Sequence, residues 1–264
     1  MNDDLDPEFR WHERGEGEPV VLLHGLMGRA DHWGTVLDEL GDVCRPIALS
    51  LPIFDPRLGE VSVEALGRHV VRFLDALDLG RAVIGGNSLG GHVALAIALE
   101  RPDRVSGLIL TGSSGLLERT FTRSVPHRPS LEYVRARMEE VFHDPGFVTP
   151  AWVESVCELL TTRQSAVRVV RFARAAKRHR VEARLPGLRI PTLLVWGRED
   201  RITPPTVAER FLALLPDARL SYIGRCGHAP MLERPEAFAD IVEGWLVATR
   251  ARRERAVVAV EGAR

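Results

Sequence analysis

Short apolar runs alternate with longer amphipathic stretches through most of this chain, and that alternation limits the fold more than any other feature. "PVVLLH", "CRPIALSL", "RAVIGG" and "VSGLILTGSS" are dense in Val, Ile and Leu and bounded by Gly or Pro, as strands buried on both faces are. Between them, "VSVEALGRHVVRFLDALDLG" places Val63, Leu66, Val70, Phe73, Leu74 and Leu77 three or four apart and stops at Gly80, which predicts a helix. "DHWGTVLDELG" reads as a helix capped by Asp31 and ended by Gly41, and "LGGHVALAIALERP" as one stopped by Pro102. Strands alternating with helices predict an α/β fold with a mostly parallel sheet covered on both sides.

From Gly115 to Leu185 the strand-like runs give way to helical patterns such as "LEYVRARMEEVF", "PAWVESVCELL" and "AVRVVRFARAAKRH". The alternation resumes at Pro186 with "PTLLVWG", "PTVAERFLALLP", "ARLSYIG" and "PEAFADIVEGWLVATR". An all-helical insert, 115–185, is therefore expected to split one α/β core formed by 1–114 and 186–248. Residues 249–264, "ARRERAVVAVEGAR" with Thr249 and Arg250 before it, lack helix-length periodicity and are expected to form a poorly ordered tail.

Composition removes several function classes. The chain has 35 Lys plus Arg against 36 Asp plus Glu, so no overall field favours nucleic acid or an anionic membrane, and a small-molecule substrate is the default. Its longest apolar stretch, Val93 to Leu99, is far too short to span a bilayer. The acidic start "MNDDLDPEF" does not read as a signal peptide, and Cys44, Cys157 and Cys226 are odd in number and widely spaced. A reducing, cytoplasmic setting is expected, with neither a disulfide framework nor a zinc site.

Gly86-Asn87-Ser88-Leu89-Gly90 has the G-x-S-x-G spacing of a strand-turn-helix elbow that exposes a serine, in the strand-to-helix context that the motif requires. The bare pattern also fits a glycine-rich turn with Ser88 as a helix cap. A serine hydroxyl needs a base, and the base an acid. His228 in "GRCGHAPMLERPEAF" and Asp200 in "VWGREDRITPP" both follow predicted strands, in the chain order Ser88, Asp200, His228. An oxyanion needs preorganised N–H donors; Leu89, opening the helix, and Leu26, after the His24-Gly25 turn, are the candidates. His24, His32 and His92 are read as structural.

The elements "LHGLMG", "GNSLGG", "WGREDRITP" and "CGHAPMLERPEAF" resemble the α/β-hydrolase superfamily over about residues 9 to 248. The resemblance implies Ser88 as nucleophile, Asp200 as acid, His228 as base, and Leu26 and Leu89 as oxyanion donors; His24, Gly25, Gly86 and Gly90 are read as the supporting turns, with Gly86 and Gly90 needed where a side chain would collide with its neighbours. It makes the insert similar to the cap of carboxylesterases and meta-cleavage carbon-carbon bond hydrolases. Dehalogenases and epoxide hydrolases carry aspartate where this chain has Ser88, which disfavours those reactions. Carbon-carbon hydrolases commonly carry tryptophan where this chain has Ala229, and "SLPIFDPRLGEVS" replaces a usual glycine-rich segment.

The expected activity is hydrolysis of small to medium carboxylic esters through an acyl-enzyme, with no metal or organic cofactor. The alternatives are carbon-carbon bond, thioester or amide hydrolysis and, in another class, a non-catalytic ligand receptor. Phe54, Phe121, Phe142 and Trp152 are candidate pocket residues, with Asp55 beside Phe54; Phe147 and Phe172 are expected in the insert's core. The insert carries 13 Lys plus Arg and 8 Asp plus Glu, a solvated face on the plain reading. Arg119, Arg123 and Arg128 are also candidates to attract an acidic substrate or an acidic carrier protein.

Overall fold

The computed structural model describes residues 8–116 and 130–261, with side chains through residue 255. Arg119, Phe121, Arg123 and Arg128 lie outside the described residues. The strands are β1 (Trp11–Glu13), β2 (Pro19–Leu23), β3 (Arg45–Leu49), β4 (Ala82–Asn87), β5 (Val105–Thr111), β6 (Thr192–Gly197) and β7 (Ala218–Ile223). They form one sheet in the order β1-β3-β2-β4-β5-β6-β7. Every pairing is parallel except that of β1, which runs antiparallel to β3 with Trp11 opposite Leu49. "WHE" is too short and too polar to announce this edge strand in the sequence.

The helices are α1 (Gly34–Leu40), α2 (Val63–Ala76), α3 (Leu89–Glu100), α4 (Leu131–Glu139), α5 (Pro150–Thr161), α6 (Arg163–Arg178), α7 (Pro205–Leu214), α8 (Pro230–Glu233) and α9 (Pro235–Glu261). One face of the sheet packs Val21 and Leu23 against Leu66 and Phe73 of α2 and Val93 of α3. The other packs Val20 and Leu22 against Val36 and Leu40 of α1 and Val242 and Trp245 of α9. Helix α3 is buried from Leu89 through Ala98, which is why its sequence is apolar all round.

Three local expectations are corrected. Asp31 does not cap α1, because its carboxylate is held by His12 at 2.8 Å and Arg29 at 3.1 Å, and a 3-10 turn over Ala30–Trp33 precedes the helix. Helix α2 ends at Ala76, ahead of Gly80, where Asp78 turns the chain at φ 52. The poorly ordered tail is replaced, as far as Glu261, by a continuation of α9. Arg250 donates to Glu18 Oε2 at 2.9 Å and Val43 O at 3.0 Å, and Arg253 to Glu18 Oε1 at 2.7 Å. Helical periodicity could not reveal an extension held by its polar side.

Helices α4 to α6 lie between β5 and β6 in the chain. Phe142 is buried with Phe147 stacked on it at 5.8 Å and Trp152 tilted at 5.4 Å. Phe172 belongs instead to the core cluster that contains α2 and α3.

Candidate active site

Strand β4 delivers Ser88 to the carboxyl edge of the sheet, where open parallel sheets place their sites. A side-chain carbon on Gly86 would overlap the backbone of Gly90, and one on Gly90 would overlap Leu23 O, so the strand can turn into α3 only with glycine at both positions. Ser88 itself sits at φ 54, ψ −115, a conformation costing a non-glycine residue about 1–3 kcal/mol and typical of functional turns. Its N–H donates to Thr111 O at 3.0 Å. Ser88 occupies the N-cap position of α3, yet its hydroxyl makes no capping bond. The capping role that the sequence left open is therefore not taken.

Asp200 follows β6 and His228 follows β7; they are 4% and 5% exposed, with Asp200 Oδ2 2.9 Å from His228 Nδ1. Asp200 Oδ1 accepts from Ile202 N at 2.8 Å and Thr203 N at 2.9 Å, while Oδ2 accepts from Thr203 Oγ1 at 2.9 Å. With every other lone pair engaged, the carboxylate orients the ring so that Nδ1 is the N–H donor and Nε2 carries the free lone pair.

The backbone of His228 is held from two further directions. Asn87, next to Ser88, donates from Nδ2 to His228 O at 2.8 Å and to Thr111 O at 3.2 Å. His228 N donates to Val141 O, between α4 and α5, at 2.7 Å. Glu233, 3% exposed, accepts His143 N at 2.7 Å and Asp144 N at 3.0 Å on Oε1, and Gly227 N on Oε2. Sequence reasoning missed Asn87, Thr203 and Glu233. Thr203 had a local signal, a hydroxyl three residues after an aspartate; Glu233 had none, because its partners are distant in sequence.

The turn after β2 approaches Ser88: a side-chain carbon on Gly25 would lie 3.3 Å from Ser88 Cβ. His24 braces this turn, Nδ1 bonding Gly25 O at 2.8 Å and Nε2 accepting Leu51 N at 2.9 Å. Burial pushes its pKa down to about 4. Leu26 follows in a turn closed by Gly28 N to Gly25 O at 3.0 Å. Leu89 opens α3, where a backbone N–H has no helical acceptor. Leu26 and Phe54 each pack against both core clusters, at their seam. Asp55 turns to Arg57, while Phe142 and Trp152 sit in the aromatic cluster of the helical segment.

His92 is fully buried, bonded to Ser114 Oγ at 3.2 Å and His179 at 3.0 Å, and burial pushes its pKa down to about 3. His32 meets the Trp152 ring edge-on. Among the described residues, no cluster of three His, Cys, Asp or Glu could hold a metal ion, and no helix is long and apolar enough to cross a membrane.

The same arrangement of strands and turns occurs in known proteins. The chain is 31% identical over 267 residues to a 2-hydroxy-6-oxononadienedioate/2-hydroxy-6-oxononatrienedioate hydrolase of Cupriavidus pinatubonensis, covering 92% of each. Among solved structures it is similar to MGS-MChE2, an α/β hydrolase enzyme from the metagenome of lagoon sediments at Mar Chica, Morocco. That likeness has 33% identity and a TM-score of 0.74, over 93% of this chain and 99% of that one. It is also similar to a thermophilic esterase of Thermogutta terrifontis, with 26% identity and a TM-score of 0.75, over 91% of this chain and 93% of that one. The family model described as the α/β hydrolase family matches residues 20–241, the span from β2 through the His228 loop into α9. With the sheet order, the elbow and this match in agreement, the chain belongs to the α/β hydrolase family and is a hydrolase.

Proposed function

We propose that this hydrolase is serine-dependent and cleaves small carboxylic esters through an acyl-enzyme. The observation that carries the reading is Ser88 at φ 54 with its hydroxyl unspent as a cap, on the sheet edge that also bears a buried Asp200–His228 pair. In this reading His228 Nε2 takes the Ser88 proton as Oγ attacks the substrate carbonyl carbon. Asp200 holds the ring and stabilises the imidazolium. The N–H groups of Leu26 and Leu89 receive the oxyanion. His228 then returns the proton to the departing alcohol, and the same nitrogen activates the water that releases the acid.

Residues 115–185 act as a cap in this scheme, and helices α4 to α6 meet the site through Val141, His143 and Asp144. Free cysteines at 44, 157 and 226 are compatible with a reducing cytoplasm. A second reading, carbon-carbon bond hydrolysis, is favoured by the dienedioate hydrolase of Cupriavidus pinatubonensis; the esterase of Thermogutta terrifontis supports the first.

The test compares wild type and Ser88→Ala on p-nitrophenyl butyrate, a fluorophosphonate probe and a 2-hydroxy-6-oxo-dienoate. Loss of about 10⁵-fold or more in kcat, with covalent labelling also gone, is expected for the variant. A folded wild type that neither labels nor turns over any substrate sinks the serine mechanism. A dienoate kcat/KM well above that of the ester replaces the first reading with the second.

A further inference from the structure

Helix α6 carries six basic residues and no acidic one. One of them, Arg168, is turned inward and only 7% exposed. Its Nε donates to Ile53 O at 2.8 Å, its guanidinium lies 5.7 Å from the Phe172 ring centroid, and its Nη2 is buried without a hydrogen-bond partner. Arginine cannot shed its charge in a protein, and an ion removed from water is costly to hold without a carboxylate beside it. Asp55 is the carboxylate whose field reaches it, but that group is closed in a fork with Arg57, at 3.0 Å and 2.6 Å. Among the described residues, Arg168 is therefore a buried cation with no carboxylate bonded to it.

Its position gives the vacant N–H group a use. Ile53 lies in the loop leaving β3, next to Phe54 at the seam of the two core clusters. Two residues earlier, Leu51 N–H holds His24, and Gly25 beside His24 packs against Ser88. One hydrogen bond thus ties the guanidinium to the loop bordering the nucleophile's turn. The other five basic residues of α6 add a positive field that draws anions inward.

We propose that Arg168 is the receptor for a carboxylate on the substrate, so that the molecule cleaved at Ser88 carries an anionic group besides its scissile carbonyl; this rests on the hydrolase reading above. A carboxylate accepts guanidinium N–H groups in a fork, which supplies Nη2 with an acceptor and the buried charge with its counter-ion. The electrostatic preference that the sequence suggested for Arg119, Arg123 and Arg128 is here assigned to a single buried side chain.

The experiment measures kcat/KM for p-nitrophenyl hemiglutarate and p-nitrophenyl butyrate in wild type, Arg168→Gln and Arg168→Lys. Wild type should prefer the hemiglutarate, and Arg168→Gln should lose roughly 10- to 100-fold on it while staying within about twofold on the butyrate. Lysine keeps the charge without the fork and should recover part of the loss. Equal losses on both esters, or no wild-type preference for the anionic one, overturn the proposal. Where Arg168→Gln does not fold, Arg168→Lys is read instead: a fall on the hemiglutarate alone supports the site, and an equal fall on both overturns it.

Glutarate binding to the Ser88→Ala protein, measured calorimetrically with and without Arg168→Gln, separates this site from the chemistry. Binding abolished by the arginine substitution supports the anion site even when neither ester is turned over, an outcome that sinks the ester reading alone. Binding that is absent, or unchanged by Arg168→Gln, overturns the proposal.

Discussion

At the elbow, Ser88 is positioned by its immediate neighbours: Gly86 and Gly90 let the chain pass through a space no side chain could share, and the Thr111 carbonyl pins the serine backbone. Helices α4 to α6 are placed in the opposite manner. Apart from apolar packing such as that of Phe172, they meet the candidate site at polar contacts between residues far apart in the chain: Val141 O with His228 N, His143 and Asp144 N with Glu233, and Arg168 with Ile53 O. The difference teaches that the geometry of Ser88 is a local steric solution, whereas the position of His228 depends on long-range hydrogen bonds. His228 belongs to both regions, since Asp200 and Asn87 hold it from the core and Val141 from the helical segment.

The largest effect should come from the core side of that comparison. Asp200→Asn places an amide donor opposite His228 Nδ1 and imposes the wrong tautomer, lowering kcat by about 10⁴-fold with the fold retained. A loss of less than tenfold on the ester would remove Asp200 from the proposed mechanism.

Glu233→Ala attacks the long-range side. It strands the N–H groups of His143, Asp144 and Gly227 and should cost about 3–5 kcal/mol by denaturant unfolding, with a parallel fall in activity. Unchanged stability and kcat would show that His228 does not depend on this clasp.

Acidification tests two buried histidines of the core, His24 beside the elbow and His92 on α3. Burial lowers the pKa values of His24 to about 4 and His92 to about 3, so below the unfolded value near 6.5 the unfolded chain binds protons that the folded one excludes. Their contribution is fully present above that value and falls as pH drops, by roughly 4 kcal/mol for the pair at pH 5. The fall for His24 levels off near pH 4 and that for His92 near pH 3. A denaturant midpoint that stays flat from pH 7 to pH 5 contradicts this.

The smallest effect sharpens the steric argument. Ser88→Gly relieves the φ 54 backbone and should stabilise the protein by about 1 kcal/mol while abolishing turnover. A drop in Tm would mean that the serine conformation is not strained.

Much of the fold was legible because its signals are local. Apolar runs mark β2 to β7, 3.6-residue spacing marks α2, and G-x-S-x-G sits where a strand yields to a helix. Strand β1 was not legible, since three residues carry no period, and neither was the extension of α9, which Arg250 and Arg253 anchor through Glu18. At the candidate site, Ser88, Asp200 and His228 stand out by residue type and by position after strands. Asn87 is hidden in the variable position of the motif, and Glu233 and Arg168 read as ordinary surface charges.

The amino-acid order alone determined the alternation of elements, and with it a parallel sheet whose carboxyl edge gathers the turns that bear serine, aspartate and histidine. Periodicity and glycine spacing act within a few residues, so they need no knowledge of the remaining chain. Tertiary structure alone decided which polar side chains face inward. Whether a glutamate clasps two loops, or an arginine is buried without an anion, depends on groups dozens of residues away meeting where water is excluded.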